Sequence, residues 1–301
     1  MSRTLLQLWT VAENELLETV RSKRVLVVAL LYLGGAVGGT LLFIEFLTGI
    51  EESLSEGLGV AAPSTPGALS QSLFRSPQFL TLLTRWVEDR AFAEQLVAMP
   101  PLSLFYGWMS LTFLPLMVTL TAAETISSEL GSGAVRFQLL RVDRLTYSLG
   151  KLLGQTLLMV GSVVSGAALV WLAGRLSMAQ FDAWSHATWL LRLSLRAGCY
   201  GFAYVGLVVG LSHLTRSVPA SRAIALFALV AFSSLSSVLD ALILWGDYGW
   251  AESVAVLLPS AHKLDLLRPT LPDRLPAILI LGALGSAYFA AGFVFRQRRD
   301  W

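Results

Sequence analysis

Gly150-Lys151 is the first pair in the sequence with a recognisable chemical meaning, because a Gly-Lys step closes the phosphate-binding loop of nucleotide hydrolases. That loop needs an earlier glycine at position 145 and a hydroxyl at 152, and this chain has Leu145 and Leu152 there. ATP chemistry is therefore not expected on this chain. His186, His213 and His262 are too widely spread to converge on a metal or to serve one serine, and they read as interface histidines bonded to water or headgroups. The single cysteine, Cys199, excludes an intrachain disulfide and a cysteine-based metal site. Catalytic residues and metal ligands are expected to be none, and the chain is not expected to be an enzyme.

A second group of polar residues interrupts an apolar run. Ser233, Ser237 and Asp240 recur at i, i+4 and i+7, with Ser236 one turn before Asp240, so they share a helix face. A carboxylate inside hydrocarbon costs about 2–3 kcal/mol near the helix centre, so Asp240 should face protein or water. This face is expected to line a dimer interface or a translocation path, with Arg192 or Arg196 as the ion partner of Asp240. A purely structural helix contact is the alternative. Pro115, in another apolar run, marks a kink that would belong to the same path.

The third group is the stretch from Ser127 to Lys151, which lies between two long apolar runs. Arg136, Arg141, Arg144 and Lys151 against Glu129 and Asp143 keep it out of hydrocarbon, so it projects into water on one side of a bilayer. Gly131 and Gly133 should break the descending helix, after which residues 134–140 can form a short helix showing Val135, Phe137, Leu139 and Leu140. Four cations around so apolar a helix ask for a partner protein. Topogenic charges against anionic lipid are the competing reading, but they leave the glycines and the short apolar helix unexplained.

The elements that position these groups follow from composition. With 55% hydrophobic and 14% charged residues and a mean hydropathy of +0.66, the chain is far more apolar than a soluble domain. Several uncharged runs exceed the ~20 residues that cross ~30 Å of hydrocarbon as a helix. The reading is an all-α polytopic membrane protein with spans at about 25–47, 102–126, 149–174, 190–214, 223–245 and 276–295. Residues 1–24 form an amphipathic helix, with Leu5, Leu8, Trp9, Ala12, Leu16 and Val20 on one face, expected to lie in the membrane surface. Nothing at this end reads as a cleaved signal.

Gly34, Gly35, Gly38 and Gly39 on the first span make overlapping small-xxx-small pairs that let another helix approach. The outer loop, 48–101, opens acidic, becomes Gly/Pro/Ser-rich from Gly57 to Pro77, where poor order is expected, and ends in an amphipathic helix from Gln78 to Ala98. That helix would rest on the membrane or cover the outer mouth of the spans. With the N-terminus inside, the cytoplasmic segments hold 13 of the 22 Lys and Arg but 7 of the 20 Asp and Glu. Both termini are therefore expected in the cytoplasm, which six spans require.

The loop also resembles a family. In ABC-2 type permeases, the membrane subunits of a class of ATP-driven exporters, the second and third spans are joined by a loop carrying Glu, a Gly and a small residue, Leu-Leu, Arg and a closing Gly-Lys. Glu129, Gly133, Ala134, Leu139, Leu140, Arg144, Gly150 and Lys151 match it, with Val142-Asp143 where a Pro-containing turn is common. Residues 258–262 resemble the Pro-containing stretch before the last span, and the first helix resembles the elbow helix of that family.

The resemblance implies an ABC-2 type permease fold whose loop 127–148 is a coupling helix seated on separate ATPase subunits. ATP and Mg²⁺ would be on that partner, with no cofactor on this chain. It also implies a second permease copy, identical or not, in the cytoplasmic (inner) membrane of a bacterium. Membrane lipid is the other expected partner, and nucleic acid is not. An ATP-independent channel or secondary transporter, or a membrane scaffold of a larger envelope complex, is the alternative. Secondary transporters show internal repeats and mid-membrane charges, and neither is evident here.

Overall fold

A computed structural model describes residues 3–58, 76–87, 89–178, 181–246 and 248–298. Among the described residues there is no strand, and six helices are long and apolar enough to cross a membrane. A chain so apolar can satisfy its backbone in lipid only within helices or a closed barrel, and its apolar runs close their hydrogen bonds locally. Most of the segment expected to be poorly ordered, residues 59–75, lies outside the described residues.

The order is α1 (Arg3–Arg21), α2 (Lys23–Leu58), α3 (Pro77–Val87), α4 (Arg90–Ala98), α5 (Pro101–Ala122), α6 (Ser127–Ser132) and α7 (Val135–Leu139). Then come α8 (Arg144–Ser177), α9 (Ala183–Ser212), α10 (Val218–Trp245), α11 (Gly249–Ala255), two short 3₁₀ turns and α12 (Leu271–Gln297). The spans lie on α2, α5 with α6, α8, α9, α10 and α12. All six helices start before the spans expected from hydropathy, and at α8 and α9 carboxylates cap the added turns: Asp143 accepts from Thr146 N at 3.0 Å and Asp182 from Ser185 N at 3.2 Å. Trp184 and Trp189 therefore stand on the first turns of α9, ahead of the start expected for that span at 190.

The most buried span is α9, packed against α5, α8 and α12, and the least buried is α10. Helices α9 and α12 meet backbone to backbone. A Cβ on Gly206 would run into the Gly285 carbonyl, and one on Gly292 into that of Gly210. The glycines of α2 behave otherwise. Gly39 packs on Met109, whereas Gly34, Gly35 and Gly38 meet nothing within 4 Å. The close approach expected at those three does not occur within this chain.

At the end of the molecule away from the 127–143 turn, the single helix expected from Gln78 to Ala98 is two. Asp89 caps α4 by accepting from Phe92 N at 3.1 Å, and Pro101 occupies the first turn of α5, where its missing N–H costs nothing. Gln95 Nε2 donates to the Leu267 carbonyl at 2.5 Å, which ties α4 to the segment before α12. Pro115 sits buried within α5, and Thr119 Oγ1 donates to its carbonyl at 2.8 Å.

Candidate functional site

The turn between α5 and α8 folds into a ridge. Gly133 adopts φ 77°, a left-handed conformation that ends α6 without a Cβ penalty, and α7 follows at once. Gly131 is required for a different reason, since a Cβ there would stand 2.5 Å from the Arg216 carbonyl of the α9–α10 turn. Val135 alone of α7 is fully buried, which fixes the helix by one side. Its other side is open: Phe137 is 75% exposed and Leu140 83%, with Arg136, Arg141 and Arg144 exposed around them and Leu139 half-buried. Asp143 turns the chain into α8, and the hydrogen bonds it accepts from Thr146 hold its carboxyl below the usual range.

Beneath the ridge lies a charge network that the local pattern did not reveal. Lys151, 3% exposed, places Nζ 2.5 Å from Glu15 Oε2 and in contact with Glu129 Oε1. Tyr147 OH donates to Glu129 Oε2 at 2.8 Å, and Gln155 Nε2 to Glu15 Oε1 at 2.6 Å. Helix α1 comes close enough because Gly150 and Gly154 leave room on α8. A Cβ on Gly150 would strike Val11, and one on Gly154 would strike Glu15 and approach the Ala12 carbonyl.

Two expectations change as a result. Glu129 and Lys151 do not stand on the exposed ridge: they are internal, and they join α1, α6 and α8. Helix α1 in turn buries Ala12, Glu15 and Thr19 on α8 while leaving Leu5, Leu6, Trp9, Leu17 and Val20 exposed. The face it presents to the bundle is thus partly acidic, and these apolar residues stay uncovered by the chain. Glu15, Glu18 and Glu129 bring carboxylate oxygens within 4.8 Å of one another. That spacing suits a cation, and the cation present is the Lys151 ammonium.

A second cluster closes the same end. Glu124 is shared by Arg24, at 2.5 Å, and Arg222; Arg24 also donates to the Leu120 carbonyl at 2.6 Å. Ser212 Oγ accepts from the amides of Ile126 and Ser127 at 3.1 and 3.0 Å, so the end of α9 supports the start of α6. The ridge is therefore held by α1, α2, α8, α9 and α10.

The remaining candidates fall elsewhere. Toward the opposite end, a cavity of about 790 Å³ lies between α3, α4, α5 and α10, walled by Phe79, Leu96, Phe105 and Trp108. Ser236 and Asp240 line it, with Lys263 from the segment before α12, whose amino group is pushed down by burial. Ser233 and Ser237 are exposed on α10. The expected ion pair of Asp240 with Arg192 or Arg196 is absent: the cavity lies before Asp240, whereas Arg196 is buried with two other arginines as its charged neighbours.

The histidines are internal, not solvated at an interface. His186 bonds the Asp182 carbonyl, His262 the Val256 carbonyl, and His213 Ser148 Oγ and the Val209 carbonyl. Burial pushes His213 down to about 4, so it is neutral.

Six helices long and apolar enough to cross a membrane, with an exposed, basic, apolar-tipped ridge clamped at one end, make a multi-pass membrane protein. Residues 9–244 match the model of the ABC-2 family transporter proteins, and the chain belongs to that family. Comparison with curated proteins finds no match.

Proposed function

We propose that this chain is the membrane-spanning subunit of an ATP-driven ABC-2 type exporter and that the ridge is where a separate ATPase subunit docks. The observation that carries this reading is the pairing of Phe137 and Leu140, both largely exposed, with the arginines around them. Lipid does not need so ordered a surface, whereas a protein groove does: apolar anchors fill pockets and rim charges orient the partner. ATP and Mg²⁺ belong to that ATPase. Movement of the ridge would pass into the spans through α6 and α8, which the Lys151 network ties to α1.

In this reading both termini are cytoplasmic, the membrane is the inner membrane of a bacterium, and two permease copies, identical or not, flank the path. The α10 face carrying Ser233, Ser237 and Asp240 lines that path or the contact between copies.

The test is co-purification of the full chain, from its own cells, with an ABC ATPase. Phe137→Asp with Leu140→Asp, and Arg144→Glu separately, should each abolish or sharply weaken recovery of the ATPase while the permease still inserts and elutes as a folded species. Undiminished recovery from both variants would overturn the reading.

A further inference from the structure

Arg196 sits on α9 at 7% exposure with Nε and Nη1 buried and unpartnered. The charges that act on it are Arg192 and Arg274, both of its own sign. None of the ion pairs among the described residues includes any of the three. Arg192 stacks over Trp189 at 5.3 Å, and Arg274 Nε donates to the Thr270 carbonyl at 3.0 Å, so both are held in place but keep their charge uncompensated. An arginine in a span pairs or marks a binding site, and a buried one on which two further arginines act calls for an anion.

Depth says which kind. Ser212 closes α9 beneath the ridge. Arg196, 16 residues earlier, is about 24 Å away at the helical rise, near the far edge of ~30 Å of hydrocarbon. The guanidinium thus lies at the headgroup level of the leaflet opposite the ridge. On the same two helices at that level, Leu191, Leu195, Leu275 and Leu279 are exposed and bare. A phosphate there would have acyl chains directly beside it.

We propose that Arg196, with Arg192 and Arg274, forms a binding site for the phosphate of an anionic amphiphile in the leaflet opposite the ridge. The Arg196 guanidinium, with two donors that find no partner in this chain, can donate to a phosphate. The site needs neither the ATPase nor transport, so it goes beyond the reading above.

The experiment places the full chain in phosphatidylcholine nanodiscs with trace spin-labelled phosphatidylglycerol or phosphatidylcholine, and measures the immobilised fraction of each label. The wild type should prefer phosphatidylglycerol, and Arg196→Gln should lower that preference by about fivefold, the effect of one cation at a membrane surface. Arg196→Lys should retain part of it, and Arg274→Gln, at a half-buried position, should lower it without disturbing the fold. Millimolar inorganic phosphate should leave the label bound. Equal preference in the wild type and Arg196→Gln would overturn the site. So would displacement by inorganic phosphate, which makes it an anion site without a lipid. Loss of self-association with lipid preference unchanged would give Arg196 to a carboxylate of a second copy, and overturn it as well.

Discussion

Lys151 carries more consequence than any other side chain here. Its ammonium is buried between Glu15 and Glu129, and the carboxylates that neutralise it are themselves out of water. Replacing such a pair by apolar residues can be neutral, but removing one partner leaves an uncompensated buried charge at a cost of about 3–5 kcal/mol. Lys151→Met should therefore lower the thermal midpoint of the detergent-purified chain strongly, and the double variant Lys151→Met with Glu129→Gln should recover a large part of the loss. Equal midpoints for the single and double variants would mean the network is not a charge pair. Local sequence pattern showed Glu129 and Lys151 as charges on a loop that must leave the hydrocarbon. It did not show that Glu15, more than a hundred residues earlier, comes back to meet them, because contacts between distant helices leave no periodic trace. The one available sign was Gly150 and Gly154, four apart on α8, where a second helix can settle.

Close approach between helices depends on which glycines face a neighbour. Six apolar runs long enough to cross a bilayer were legible from hydropathy, as was Gly133 as the glycine that ends the descending helix before α7, whereas Gly131, expected to break it too, lies within α6. Helix contacts were harder to read. Small-xxx-small spacing occurs on α2 at Gly34 to Gly39 and on α9 at Gly206 and Gly210, yet only the second pair meets backbone across the interface. Spacing states that a helix permits approach, and the rotation of that helix decides whether anything approaches. At Gly206 a methyl group would meet the Gly285 carbonyl, which no side-chain rotamer can relieve, so α9 and α12 would have to part. Gly206→Ala should cost at least the 1–3 kcal/mol of an overpacked core, read as a lower midpoint or as loss of folded protein. Gly34→Ala, with open space around it, should stay within about 0.5 kcal/mol of the wild type. A Gly34→Ala variant as damaged as Gly206→Ala would show that α2 packs on another chain at that glycine.

One copy of this molecule leaves a span with a polar face uncovered. Helix α10 is the least buried of the six, and it shows Phe227, Val230 and Val238 together with Ser233, Ser237 and Asp240. The apolar residues are content in lipid. The hydroxyls gain there only what their own helix offers, as Ser237 does by donating to the Ser233 carbonyl at 3.2 Å, and Asp240 gains nothing from hydrocarbon at any depth. The large cavity ends at the same helix, so a second copy placed against α10 would enclose Asp240 and the cavity mouth together. That geometry predicts a crosslink. With Cys199 replaced by Ala, Ser237→Cys in native membranes should oxidise to a species of about twice the 32.6 kDa chain mass. Ser286→Cys, exposed on α12 with no comparable polar neighbourhood, should remain a single chain. If Ser286 crosslinks and Ser237 does not, the copies meet through α12, and Asp240 must then be hydrated from the cavity, which becomes a water-filled vestibule of each copy instead of a space closed between two.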